Sequence, residues 1–374
     1  MAGIYVHIPF CKQACNYCNF HFSTSLRKKD DLLLALHKEF FLQKDYLQGE
    51  KIETIYFGGG TPSILDTAEI ANLLEKIYAL HEVSENAEIT IEANPDDLTE
   101  QKLKALKNET NINRFSIGIQ SFFDEDLTFM HRAHNASEAE KCIKLAQDIG
   151  FQNLSIDLIY GTPTMNDEKW RYNLDKAVAY NVPHISSYCL TVEPKTLLEK
   201  QVKRGLLKGV NEEQAAAQFE ILMQTLENAG FEHYEISNFS KPDAHARHNS
   251  NYWLGQKYLG IGPSAHSYDG VSRQHNIANN QQYMTTLNDG VLNFEKENLS
   301  PAQRYNEYVL TTLRTKWGAH WSKIAAFDLE YSNHFKDNIF PFIEKKQVIE
   351  SNGVYTLSRE GRMLADYIAV ELFI

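Results

Sequence analysis

The feature that most constrains this fold is an alternation of short β-branched runs with longer amphipathic stretches, which continues to about residue 230 of the 374. Strands that alternate with helices form parallel βαβ units with right-handed crossovers. Six such units predict an α/β fold built as a partial (β/α)6 barrel. In barrels of this kind the chemistry gathers on loops at the C-terminal ends of the strands. The six predicted strands are IYVHI, ETIYF, EITIEA, RFSIGI, NLSIDLIY and HISSYCL.

Beyond residue 230 the pattern changes, so the chain divides into residues 1–230, 231–295 and 296–374. The middle part is rich in His, Asn, Tyr and Gly and has little periodicity, which predicts a loop-rich extension at the open side of the barrel. The last part returns to helical patterns and ends in two short strands around Asn352-Gly353. Helices followed by one hairpin predict a small winged-helix-like domain.

The charge balance restricts the class of ligand. The formal net charge is −12, with 49 acidic and 37 basic side chains. A sequence-independent nucleic-acid binder needs a basic surface, so we expect no nucleic-acid partner. No apolar run has the length of a membrane span, and the N-terminal MAGIYVHIPF lacks the basic start and cleavage site of a secretory signal. We therefore expect a cytoplasmic protein.

A cluster of cysteines follows the first predicted strand. Three of the five cysteines fall within eight residues, in the spacing CxxxCxxC. Thiolate ligands favour an iron–sulfur cluster or zinc. A closed zinc site needs a fourth donor, for which His7 and His21 are the candidates nearby. Three cysteines alone favour a [4Fe–4S] cluster that leaves one iron open. The predicted iron ligands are Cys11, Cys15 and Cys18.

This cysteine motif, with Tyr17 before its last cysteine, resembles the signature of the radical S-adenosylmethionine (SAM) superfamily. The resemblance implies that SAM binds the open iron and that one electron from the cluster cleaves it to a 5′-deoxyadenosyl radical. Further segments resemble, in order, the coproporphyrinogen III dehydrogenase branch of that superfamily. They are YVHIPFC, YFGGGTPS, IEANPDDLT, FSIGIQSF, HRAHN and IDLIYGTP.

The same resemblance implies a set of SAM contacts. Glu92 would accept a hydrogen bond from the methionine ammonium group, Asp157 would accept from the ribose hydroxyls, and Arg132 would pair with a carboxylate. Glycines without a Cβ let the backbone approach a ligand closely. For Arg132 a structural ion pair is the alternative role. The full set of expected contacts is Tyr5, Tyr17, Gly59, Gly60, Thr61, Glu92, Gln120, Arg132 and Asp157.

Two differences bear on the choice between a dehydrogenase and a haem carrier. The dehydrogenase has a longer segment before its first strand and a further cysteine two positions after the third, where this chain has Phe20. Both differences weaken the expectation of porphyrinogen decarboxylation. In addition, residues 248–253 form HNxxYW, which resembles a motif of related haem chaperones and makes His248 the expected haem ligand. Pinning a loop to the core is the alternative role for this motif.

The resulting prediction is a haem chaperone with a radical SAM fold that delivers haem to acceptors such as respiratory enzymes, some of them at the membrane. An oxygen-independent coproporphyrinogen III oxidase is the alternative, and a zinc-stabilised structural protein is the third. The resemblance implies an oxidoreductase by family, while the two differences favour a protein that is not a true coproporphyrinogen dehydrogenase. The expected cofactors are a [4Fe–4S] cluster, SAM and haem. The expected partners are a haem-accepting protein and a reductant protein such as flavodoxin or ferredoxin.

Overall fold

The computed structural model describes residues 2–374, and one sheet of 12 strands dominates it. In chain order these strands are β1 Ala2–Ile8, β2 Ile52–Gly59, β3 Val83–Ala93, β4 Arg114–Gln120, β5 Asn153–Tyr160, β6 His184–Cys189, β7 Glu232–Glu235, β8 Asn238–Ser240, β9 Lys257–Ile261, β10 His266–Tyr268, β11 Ser272–Asn276 and β12 Phe294–Asn298. Their order across the sheet is β12-β11-β10-β9-β1-β2-β3-β4-β5-β6-β8-β7.

The first six strands form the wall of the partial barrel. Strands β1 to β6 lie side by side in chain order, each parallel to the next. On the other side of β1, strand β9 continues the parallel arrangement, and β10 to β12 add antiparallel to one another. The prediction of a partial barrel made from six parallel strands is therefore confirmed.

Helices cover the outer face of the wall because alternate residues of each strand are apolar. On β1 the side chains of Ile4, Val6 and Ile8 are fully buried and share one core with Leu36 and Phe40 of the first helix. The residues between them point to the inner face of the barrel. The helices are α1 Lys29–Leu42, α2 Thr67–Leu80, α3 Glu100–Glu109, α4 Asp124–Phe129, α5 Ala136–Ile149, α6 Asp167–Ala179, α7 Leu197–Lys203, α8 Glu212–Asn228, α9 Arg247–Trp253 and α10 Asn280–Asn288.

The segment that the sequence predicts to be loop-rich also contains strands β7 to β12 and helices α9 and α10. A buried carboxylate, Glu39 of α1, holds this extension against the barrel. Glu39 accepts hydrogen bonds from the Gly262 backbone N–H at 2.8 Å and from Asn276 Nδ2 at 2.6 Å, and also from the Tyr283 hydroxyl group. The extension is therefore a continuation of the sheet rather than a separate layer.

The C-terminal part has a small core of its own. Its elements are α11 Pro301–Leu313, β13 Ala319–His320, α12 Trp321–Ile324, α13 Leu329–Glu344, β14 Val348–Ser351, β15 Val354–Leu357, α14 Arg359–Arg362 and α15 Ala365–Glu371. A helix, a strand, two helices and a hairpin in this order are typical of a winged helix. Arg359 joins it to α8 through Glu220 and Glu227, both at 3.1 Å. Within residues 2–374, none of the helices has the length and apolar character needed to cross a bilayer.

Candidate functional site

The cysteine loop leaves the C-terminal end of β1, at the open end of the barrel. It is closed at its base by Phe10 and Ser23, which form an isolated parallel bridge. The thiols of Cys11, Cys15 and Cys18 are free and partly exposed. Burial raises the pKa of the Cys18 thiol to about 11, and the neighbouring cysteines add to this effect. Iron must therefore displace a proton from this thiol when it binds.

The arrangement of these donors suits a cluster better than a single ion. No group of three His, Cys, Asp or Glu side chains within residues 2–374 is placed to hold one metal ion. A [4Fe–4S] cluster does not require this, since each thiolate binds a different iron. Of the two histidines suggested for zinc, His7 has both ring nitrogens in hydrogen-bonding contacts and His21 has its Nε2 in one. His7 Nε2 lies 3.0 Å from the His21 carbonyl oxygen and its Nδ1 3.2 Å from the Tyr5 hydroxyl, while His21 Nε2 lies 2.6 Å from Asn280 Oδ1.

Glu92, at the end of β3, faces the interior of the barrel with two hydrogen bonds. Its carboxylate accepts from the Tyr56 hydroxyl at 2.8 Å and from the Gly59 backbone N–H at 3.1 Å. Burial raises the pKa of Glu92 to about 7, and the nearby carboxylate of Asp157 contributes in the same direction. A cationic ligand such as an ammonium group would relieve this cost by favouring the charged form.

The glycine loop after β2 packs against β1 and its following residues. Gly59 has φ +112°, and a Cβ there would lie 2.6 Å from the His7 ring. A Cβ on Gly60 would lie 2.6 Å from the Phe10 carbonyl oxygen. The amides of these glycines are also engaged, since Gly59 N–H donates to Glu92 and Gly60 N–H donates to the Ile8 carbonyl. The glycines therefore allow the loop to pack closely against β1, and the backbone N–H groups of both already have partners within the protein.

Arg132 lies at the centre of a network that links the cysteine loop to two strand ends. Its Nη2 donates to Asn94 Oδ1 at 2.7 Å and to the Gly118 carbonyl at 2.8 Å, and its Nη1 lies 3.3 Å from Cys15 Sγ. Asn94 Nδ2 in turn donates to Thr61 Oγ1 at 3.2 Å, which lies 3.5 Å from Cys11 Sγ. Asn94, which follows β3, is therefore a residue of this network for which the sequence predicts no role.

Buried polar atoms without partners test whether a polar cofactor fits here. Arg132 Nε and Gln120 Oε1 are both buried and have no hydrogen-bond partner among the described residues. Gln120 also has φ +65°, a backbone conformation that non-glycine residues adopt rarely. One unpaired donor and one unpaired acceptor beside the cysteine loop match a zwitterionic ligand such as SAM. The residues present therefore fit that cofactor.

Among the remaining expected contacts, Asp157 lies near enough to Glu92 to raise the pKa of that carboxylate. Burial raises the pKa of Asp157 on β5 to about 6, opposed by hydrogen bonds from Ser186 and Ser116 and by the positive charge of Arg114. Arg114 was missed by sequence analysis, although it is only 1% exposed and lies on β4 facing the same interior. A lone arginine in an apolar strand is the signal that could have identified it, because a buried guanidinium needs nearby anions. Tyr17, within the cysteine loop, packs against a small apolar cluster that includes Leu190 and Leu198.

His248 does not occupy the position expected of a haem ligand. It is 2% exposed, and both ring nitrogens have partners: Nδ1 lies 2.8 Å from Thr54 Oγ1 and Nε2 lies 2.9 Å from the Tyr252 hydroxyl. Burial lowers the pKa of His248 to about 3. Its backbone N–H donates to Glu88 at 3.0 Å.

The motif instead closes the floor of the barrel. The His248 ring lies 3.2 Å from where a Cβ of Gly3 would be, at the N-terminal end of β1, and its centroid lies 5.0 Å from that of Tyr56. The N-terminal ends of barrel strands serve stability, whereas ligands bind at the opposite end. The expectation that His248 ligates haem is therefore corrected to a packing role beneath Tyr5 and Tyr56.

This fold and this site define a radical SAM protein. The model of the Radical SAM superfamily matches residues 5–177. A protein from Bacillus subtilis (strain 168) named heme chaperone HemW is 32% identical over 376 residues, covering 98% of both chains. A Mycobacterium tuberculosis (strain H37Rv) protein of the same name is 33% identical over 98% of this chain and 93% of that protein. The chain therefore belongs to the HemW family.

A solved structure gives the same fold. Coproporphyrinogen III oxidase (HemN) from Escherichia coli superimposes with a TM-score of 0.86 over 100% of this chain and 90% of that one, at 23% sequence identity. At this identity the likeness shows the fold alone. Membership of the radical SAM superfamily implies a [4Fe–4S] cluster and SAM.

Proposed function

We propose that this protein is a haem chaperone, which binds haem beside a radical SAM site and passes it to an acceptor protein. The observation that carries the proposal is the full-length similarity to proteins named heme chaperone HemW. The fold similarity to coproporphyrinogen III oxidase does not decide between chaperone and oxidase, because fold does not determine function.

The proposed roles of the site residues follow from their positions. Cys11, Cys15 and Cys18 would hold the cluster, which when bound supplies one electron to SAM. Glu92 would accept from the methionine ammonium group, and the unpaired Nε of Arg132 would donate to the methionine carboxylate. Asp157 would accept from the ribose hydroxyls. Tyr5, Tyr17, Gly59, Gly60, Thr61 and Gln120 complete the proposed set.

The proposed reductant partner would dock beside the cluster loop, on the segment 195–208. This segment is attached to the loop by the Leu198 N–H, which donates to the Asn16 carbonyl at 2.8 Å. Its exposed apolar side chains are Leu197 and Leu206, and Phe20 of the cluster loop is 70% exposed. Four exposed cations of the segment form no ion pair within residues 2–374: Lys195, Lys200, Arg204 and Lys208.

A basic, partly apolar surface on a protein of net charge −12 favours an acidic partner, since opposite charges steer encounter and fix orientation. Small one-electron carriers of acidic composition, such as a flavodoxin or ferredoxin, match this requirement. Because thiolate ligands persist in a reducing compartment, we also propose a cytoplasmic location. A membrane-bound acceptor would then bring the protein to the bilayer surface.

The test is anaerobic reconstitution followed by two parallel assays. Iron, sulfide and haem are quantified per chain, and the protein is incubated with coproporphyrinogen III, SAM and a reductant. The proposal predicts stoichiometric haem, no protoporphyrinogen IX, and transfer of the bound haem to a haem-stripped b-type cytochrome. Turnover of coproporphyrinogen III without a stable haem complex would instead identify an oxidase.

A further inference from the structure

Haem iron bound by a histidine needs an imidazole nitrogen that is accessible and not already hydrogen-bonded. Few of the 14 histidines meet this condition on the inner face of the sheet. His7 and His248 have both ring nitrogens engaged, as described above. His184 is fully buried between Ser155 and the Tyr234 hydroxyl, at 2.7 Å from each.

Two histidines of the sheet extension are different. His266 on β10 and His275 on β11 are both exposed and stand directly opposite each other in the antiparallel pair. Their ring centroids are 5.4 Å apart, with an interplanar angle of 24°. The only ion pair of either ring among the described residues is the 3.5 Å contact of His275 Nε2 with Glu295, a residue that is 86% exposed on its side chain.

Strand register places this pair on the same face as the SAM site. Residues paired across neighbouring strands point to the same side, as do residues two apart along one strand. Tyr5, which faces the barrel interior, pairs with Gly260 of β9, so Tyr258 shares that face. Tyr258 pairs with Tyr268 of β10, and His266 is two residues from Tyr268. The histidine pair therefore lies on the inner face of the sheet.

The surroundings suit a flat, anionic macrocycle. Beside the histidines on the same face, Arg273 lies over the Tyr268 ring at 5.8 Å, and the Tyr268 and Tyr258 rings are 6.3 Å apart. Aromatic rings can pack on the porphyrin, and the Arg273 guanidinium, which pairs with Glu307 at 2.9 Å, could exchange that carboxylate for a propionate. Partial desolvation of the solvent-exposed ring and the nearby His275 and Arg273 lower the pKa of His266, which favours the neutral imidazole that a metal ligand requires.

We propose that the axial imidazole ligand of haem comes from His266 or His275, either of which can serve, and not from His248 of the HNxxYW motif. This inference rests on the proposed haem-carrier function. Either ring can reach an iron held over this face, because neither is constrained by a buried hydrogen bond. The cargo would then lie on an open sheet surface from which an acceptor can take it.

The test is haem titration of the cluster-loaded protein, followed by absorption and EPR spectra of the complex. We expect His266→Ala or His275→Ala alone to weaken haem binding by about threefold to tenfold. The double variant should weaken it more than tenfold and lose the imidazole-ligated spectrum. His320→Ala, an exposed histidine of the C-terminal part, is the matched control and should leave both readouts unchanged. Because all three rings are exposed, the unfolding midpoint should not move.

His248→Ala separates this proposal from the motif-based expectation. The variant should be less stable yet keep the wild-type haem spectrum in its folded fraction. A double variant at positions 266 and 275 that binds haem with unchanged affinity and spectrum would overturn the assignment. Failure of the wild-type protein to bind haem at all would overturn the proposed function itself, and the two failures are therefore distinguishable.

Discussion

Replacing Glu92 with glutamine should stabilise the cofactor-free protein and weaken its binding of SAM. Burial is the main reason that the pKa of Glu92 rises from an ordinary 4.5 to about 7. A carboxyl group with a raised folded-state pKa leaves stability at its full value below the unfolded-state pKa, and it lowers stability as pH rises through the folded-state pKa. The gap between the two pKa values, at about 1.4 kcal/mol per pH unit, limits the loss of unfolding free energy at alkaline pH to about 3 kcal/mol.

Glutamine can keep both existing hydrogen bonds. Its carbonyl oxygen can accept from the Gly59 N–H, while its amide can donate to the Tyr56 hydroxyl, which is able to accept. We therefore expect Glu92→Gln to raise the free energy of unfolding by about 1–3 kcal/mol at pH 8.5, with screening by water in the open barrel accounting for the range, and by about 0 at pH 4.5.

The assay is denaturant unfolding of the wild type, Glu92→Gln and the exposed control Glu85→Gln at several pH values, with SAM binding measured calorimetrically on cluster-loaded protein. SAM affinity should fall more than tenfold in Glu92→Gln. In the wild type it should also fall as pH drops below about 7, because the ammonium group needs the ionised carboxylate. A Glu92→Gln protein that is less stable than wild type at pH 8.5 would refute the reasoning.

Three further predictions follow from the site. Cys18→Ser should reduce reconstituted iron and sulfide to background, while Cys142→Ser, a buried thiol in the core, should retain both. Gly60→Ala should cost about 1–3 kcal/mol in unfolding experiments because its Cβ would lie 2.6 Å from the Phe10 carbonyl oxygen, and an unchanged midpoint would contradict this packing. Lys200→Glu should slow cluster reduction by flavodoxin severalfold at low salt but not reduction by dithionite, with the difference vanishing at high salt.

Much of the barrel could be predicted from the sequence because its strands are almost wholly buried and rich in β-branched residues. The five runs from IYVHI to NLSIDLIY each lie within a parallel strand of the wall. The extension could not be read this way. Strands β10 and β11 have 3 and 5 residues, and their exposed positions hold histidine, so no period of apolar residues develops.

The site residues also fall into two groups, those that the sequence alone could locate and those that it could not. The cysteines and Glu92 carry their chemistry in residue type and spacing, so sequence alone locates them at strand ends. Arg114 and His248 do not, because burial rather than spacing decides what each can do. The HNxxYW motif predicts a haem ligand at His248, whereas the structure shows that Thr54 and Tyr252 contact both of its ring nitrogens.

The central place of β1 in the sheet affects how the protein is made. Residues 2–8 leave the ribosome early, and β2 covers one edge of this strand soon afterwards, whereas the other edge must wait for β9 at residues 257–261. At about 5–20 residues per second the wait is about 10–50 s. During that time an unpaired apolar strand edge is open to aggregation, so newly synthesised chains should depend on holding chaperones until the second half of the sheet arrives.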